Sequence, residues 1–102
     1  MRLIDTHCHL AHGRLRGQLD EVLRRAERAG VAAVICAAGD LGESRAALAL
    51  ARGRAGIRCL AGVHPHAAKD AAPGYLDELA ALAGDPRNAA LGEVGLDYHY
   101  DH

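Results

Sequence analysis

The chain has 102 residues, with 12 Lys plus Arg against 13 Asp plus Glu and a formal charge of −1, which is not the balance of a strongly basic nucleic-acid binder. Half of the residues are hydrophobic and a quarter are charged, so the composition is that of one globular domain at most and not of a disordered chain. No apolar run approaches the ~20 residues of a membrane helix, and MRLIDTHCHL turns polar too early for a signal peptide.

The three cysteines lack zinc-ribbon spacing and suit a reducing compartment, so the expected location is cytoplasmic, with no membrane partner. Phe and Trp are absent, and the core must come from Leu, Val and Ile among small Ala and Gly. That limits the apolar area the chain can bury alone. Arg supplies all but one of the 12 basic residues, which reads as coding bias.

In chain order, residues 2–9 form a first strand. Leu15, Leu19, Val22, Leu23 and Ala26 then make the stripe of an amphipathic helix, with Gly30 at its left-handed cap. Residues 31–36 are a continuous apolar run of strand length. Asp40 or Ser44 caps a second helix that runs to about Gly53. Residues 57–63 form a third strand. Pro73 opens a helix with Leu76, Leu79 and Leu82 on its face and Gly84 at its end. Asp85-Pro86 makes a turn, and residues 89–94 form a fourth strand. Strands alternating with helices, each strand apolar along most of its length, point to a parallel α/β sheet of about four strands and three crossover helices.

Histidine carries the chemistry, with seven in the chain and four of them in two pairs spaced i, i+2. On a strand that spacing puts His7 and His9 on one face, a chelating pair for a divalent metal, although His-x-His also arises by chance in a His-rich chain. Asp5 would share that face. It would then either orient an imidazole or simply be solvated. His64-Pro65-His66 ends the third strand. Its imidazoles either enter an active-site mouth, with His64 on a substrate oxyanion, or stay in water. Glu93 is a carboxylate within an apolar run, where a bare charge is costly. It needs either a metal or an Arg on an exposed edge. Cys8, Cys36 and Cys59 read as core. Arg24, Arg25 and Arg28 form a solvated helix face. Tyr98 and Tyr100 either stack on a base or pack at the core or rim.

These signals fall at one end of the sheet, and IDTHCHL at 4–10, GVHPH at 62–66 and GEVGLDYHYDH at 92–102 together resemble the TatD family of metal-dependent hydrolases. The resemblance implies the N-terminal half of a TIM-type (β/α)₈ barrel with two divalent metal ions, Mg, Mn or Zn. His7 and His9 would bind one metal, and Glu93 would bridge the two. His64 would contact the substrate phosphate or the mouth of the site, and Asp97 would stand nearby, either supporting a ligand or orienting substrate. The implied reaction is hydrolysis of phosphodiesters in DNA, of deoxyribonuclease or 3′-exonuclease type, by metal-activated water.

A complete barrel of this kind needs ~250 residues. The resemblance also implies two later histidines and a late aspartate, so only part of the metal shell is present in residues 1–102. His99 and His102 are poor substitutes by position, and Ala11 and His12 stand where such proteins often carry an acidic-aromatic pair. Two other readings stay open. One is a catalytically incomplete metal-binding half-barrel that needs self-association or a separate C-terminal half. The other is the same barrel acting on another ester or an amide.

Overall fold

The computed structural model describes residues 1–100. It comprises β1 (Leu3–Cys8), α1 (Gly13–Arg16), α2 (Leu19–Arg28), β2 (Val31–Cys36), α3 (Leu41–Gly53), β3 (Ile57–Ala61), a 3₁₀ turn (Pro65–Asp70), α4 (Tyr75–Ala83) and β4 (Asn88–Leu91). The four strands pair in sequence order, and every pair is parallel. Each crossover therefore returns the chain to the neighbouring strand, and the helical segments act as the connections that parallel strands require.

Boundaries depart from the periodicity for local reasons. The first amphipathic stripe is broken at Gly17, a poor helix former that caps α1 before α2 begins. Gly30 follows α2 at φ +97°, and a side chain there would meet the Met1 carbonyl oxygen at 2.6 Å. Asp40 caps α3 by accepting a hydrogen bond from the Glu43 amide. Pro73 lies ahead of α4 and not in its first turn, because Gly74 at φ +83° makes the entry. The 3₁₀ turn starts at Pro65. The third and fourth strands end at Ala61 and Leu91, earlier than the apolar runs suggest.

The core lies between the sheet and α3. Its buried members are mostly small: Cys36, Ala47, Ala51 and Cys59 surround Leu48, Val34 and Ile57. Small side chains let the helix approach the strands closely, which replaces aromatic bulk with backbone proximity. Cys8 pairs in register with Cys36, and Cys36 with Cys59, so the three thiols form one row across adjacent strands under the helices. A hydrogen bond to Cys36, then burial, pushes the Cys8 thiol up. Ion pairs Arg52–Asp85 and Arg45–Glu78 link α3 to the turn before β4 and to α4.

Ser44 in the first turn of α3 is buried and fully used. Its hydroxyl accepts from the Gly62 amide at 3.2 Å and also lies 2.7 Å from the Asp40 carbonyl and 3.3 Å from the Gly62 carbonyl. The start of α3 is thereby tied to the exit of β3. The arginines of α2 surround Glu21 on an exposed face. Tyr98 is 95 % exposed, so it does not pack in a core or rim. β1 and β4 are edge strands, each paired on one side only. Among the described residues no helix is long and apolar enough to cross a membrane.

Leu48 on α3 is a buried core side chain, whereas Leu76 on α4 is 62 % exposed. Leu48→Ala is expected to lower the unfolding free energy in urea by about 2–5 kcal/mol. Leu76→Ala should stay within about 0.5 kcal/mol of the parent. Equal losses would contradict this core.

Candidate metal centre

β1 does not alternate strictly. Asp5 pairs with Val34 and Cys8 with Cys36, so Thr6 and His7 together oppose the single residue Ile35. Such a bulge re-aims a side chain near the end of a strand. It puts Asp5 in the row of buried Val34, which corrects the expectation that Asp5 shares the face of His7. Asp5 Oδ1 accepts from the His7 backbone amide at 3.0 Å, holding the segment and not an imidazole. His9 lies one residue past the strand, and its ring centroid is 5.2 Å from that of His7.

Glu93 arrives from the opposite edge of the sheet. The sequence puts it inside the fourth strand, but the strand ends at Leu91. The Gly92 amide still donates to the Ala61 carbonyl at 2.9 Å, whereas the Glu93 amide donates to the Ala38 carbonyl beyond β2, also at 2.9 Å. The chain thus crosses over the end of β3. Gly62 permits the crossing, because a Cβ there would collide with the Gly92 carbonyl and with the Glu93 oxygen. His64 joins the same bundle of exits through its amide, which donates to the Gly39 carbonyl at 2.8 Å.

The three residues meet above the strand ends. His7 Nε2 lies 3.5 Å from Glu93 Oε1, and His9 Nε2 lies 3.7 Å from Glu93 Oε2. One donor atom from each residue falls within 4.8 Å of the other two, so they could hold a metal ion. The donor set fits a divalent cation: imidazole suits Zn and its neighbours, carboxylate suits Mg and Mn, and both are present. Glu93 turns one oxygen toward each histidine and is the least exposed of the three side chains. On its far side, His9 Nδ1 is 3.1 Å from Glu43 Oε1.

A hollow of about 500 Å³ beside this cluster is lined by His9, Glu43, His64, His66 and Glu93. His64 Nδ1 accepts from the His66 amide at 3.0 Å, fixing its ring at the start of the 3₁₀ turn. Asp97 does not join the cluster. Its Oδ2 pairs with His66 Nε2 at 2.7 Å, while its Oδ1 accepts from the amides of His99 and Tyr100. The Tyr100 and His99 amides, then the His66 imidazole, hold the Asp97 carboxyl down at about 2. His99 therefore stands in a turn closed by Asp97, away from the three donors, and His102 lies outside the described residues.

Sequence reasoning missed Glu43 and the His66–Asp97 pair. Both contacts join residues more than thirty positions apart. The usable signal for Glu43 was its place three residues after the helix-capping Asp40.

Two outcomes test this geometry. Gly62→Ala should push Glu93 away and weaken Mn²⁺ binding, read by calorimetry, by about 10–100-fold, the range seen when support for a ligand is lost. An unchanged affinity would contradict the crossing. A depressed carboxylate adds stability that is present above its unfolded value and lost as pH falls through its folded value. The Asp97 carboxyl ¹³C signal should therefore titrate near 2, and the 97–100 turn should persist through the ordinary carboxylate range. A midpoint within that ordinary range would refute the turn.

The family model described as TatD related DNase matches residues 4–102. The chain is 35 % identical over 97 residues to the 3′-5′ ssDNA/RNA exonuclease TatD of Salmonella typhimurium, covering 95 % of this chain and 37 % of that protein. It is 42 % identical over 80 residues to the protein of the same name from Cronobacter turicensis, covering 78 % of this chain and 30 % of the relative. Among solved structures, the TatD homologue YJJV of Escherichia coli superposes with a TM-score of 0.87 at 31 % identity, over 98 % of this chain and 39 % of that one. A TatD family hydrolase from Entamoeba histolytica gives 0.83 at 29 % identity, over 96 % and 38 %. The chain thus spans a little over a third of the length of most of these proteins, and it belongs to the TatD-related DNase family.

Proposed function

We propose that this chain supplies the N-terminal, metal-binding part of a hydrolase that cleaves phosphodiester bonds in nucleic acid, of the deoxyribonuclease or 3′-exonuclease type. The observation that carries the reading is the convergence of His7, His9 and Glu93 at the strand ends. Ligand sites in β/α barrels gather at that end of the sheet. The names of the relatives, 3′-5′ ssDNA/RNA exonucleases, support nucleic acid as the substrate.

In this reading His7 and His9 would hold one divalent cation, and Glu93, with an oxygen toward each histidine, would be shared with a second. The ions would be Mg, Mn or Zn. When bound, such ions lower the pKa of water and clamp the attacking and leaving oxygens of a phosphodiester. The chain's own groups bind and orient. His64, at the lip of the hollow, contacts the substrate phosphate. Asp97 stays ionised and steadies His66, which lines the same hollow, and so orients the substrate. Phosphate attraction then comes from the metal site, which is compatible with a net charge of −1. Three free thiols suit a cytoplasmic setting.

A second reading is favoured by one observation: β1 and β4 are both edge strands, and the relatives are far longer. The chain would then bind metal and need further strands, from a second copy or a C-terminal half, before it turns substrate over.

Mn²⁺ titration together with a nuclease assay on 3′-labelled single-stranded DNA separates the two. The first reading expects binding with Mn²⁺-dependent cleavage, and Glu93→Gln should weaken binding by at least about tenfold while abolishing cleavage. Tight binding without cleavage at any metal concentration supports the second reading. No binding at all rejects both.

A further inference from the structure

We propose that Glu43 is a positioning residue that holds His9 as its Nδ1–H tautomer and so turns the Nε2 lone pair toward the cation. The inference rests on the metal reading above and deepens it.

The geometry is two-sided. His9 Nδ1 lies 3.1 Å from Glu43 Oε1, while His9 Nε2 faces Glu93 Oε2 at 3.7 Å. An imidazole has one donor and one acceptor nitrogen when neutral. A carboxylate can only accept, and of the two carboxylates only Glu43 is within hydrogen-bond distance, so the hydrogen belongs on the nitrogen that faces it. That leaves Nε2 as the electron-pair donor on the side where His7 and Glu93 converge. Metal-bound histidines commonly donate their other N–H to a carboxylate, which sets tautomer and ring orientation.

Glu43 is itself held at both ends. Its second oxygen, Oε2, accepts from the Gly39 amide at 2.8 Å, and its own amide donates to Asp40 Oδ1 at 2.7 Å. In an ordinary capping box the glutamate reaches back to the amide of the capping residue. Here it takes the amide one residue earlier and spends its other oxygen on His9. Gly39 leaves the carboxylate room, because a Cβ there would stand 3.3 Å from Glu43 Oε2. Glu43 also sits in the first turn of α3. The helix start and the ligand thus share one carboxylate, with the backbone of 39–43 acting as its mount.

Two measurements on the whole chain test the proposal. The His9 tautomer is read from long-range ¹H–¹⁵N correlations on the metal-free protein, above the ordinary imidazole range. Mn²⁺ affinity is read by calorimetry. The parent is expected to show the Nδ1–H form. Glu43→Ala should shift His9 toward Nε2–H and bind Mn²⁺ about 10–100-fold more weakly. A purely structural role for Glu43 would lower the melting temperature without changing the tautomer, and that result overturns the proposal. So does an Nε2–H form in the parent, which decides the matter even if Glu43→Ala fails to fold. Should the parent show Nδ1–H yet bind no Mn²⁺, the metal reading falls while the Glu43–His9 link stands.

Discussion

The curvature of the sheet is the constraint on which the site depends. The histidines leave β1 and the glutamate follows β4, the two outer strands of four. In a flat sheet, three strand spacings would keep them about 14 Å apart. Their donor atoms nevertheless fall within 4.8 Å of one another. Twist and coiling account for part of the approach. The rest comes from the exits of the strands: the bulge at Thr6–His7, the passage of residues 92–93 over Gly62, and the bond from the Glu93 amide to Ala38. The convergence of these donor atoms is thus a property of how the strand exits turn toward one another, not of any one strand.

The first turn of α3 organises the floor beneath. Asp40 caps the helix, Glu43 faces β1 through His9, and Ser44 grips both polar atoms of Gly62 at the end of β3. Two of these side chains, Glu43 and Ser44, therefore tie the exits of three strands together, through His9, Gly39 and Gly62. The small core residues under the same helix, Ala47 and Ala51 above Cys36 and Cys59, bring this turn close enough to reach them. Packing and chemistry meet in one helix, and the scarcity of large side chains in the sequence is what lets it sit so near.

Much of this was legible in the letters. The alternation of apolar runs with amphipathic stretches carries the parallel α/β order, and the spacing of His7 and His9 with an isolated Glu93 marks the cluster. Periodicity failed where tertiary register overrides it. A bulge cannot be read from one strand, since it is a mismatch between two, and so Asp5 was put on the wrong face. Glu93 looked like part of a strand because Gly92 and Val94 are compatible with one; its departure is dictated by a partner at Ala38. The His66–Asp97 pair and the Glu43–His9 contact bridge separations for which no local pattern exists.

The attachment of the Glu93 amide has a mechanical corollary. β4 has four residues and is largely solvent-exposed, the kind of outer strand that frays readily. Its carboxylate-bearing neighbour is moored elsewhere, to the chain just beyond an interior strand. Breathing at the margin of the sheet can therefore proceed without carrying the Glu93 carboxylate off, so the rim loosens before the cluster does.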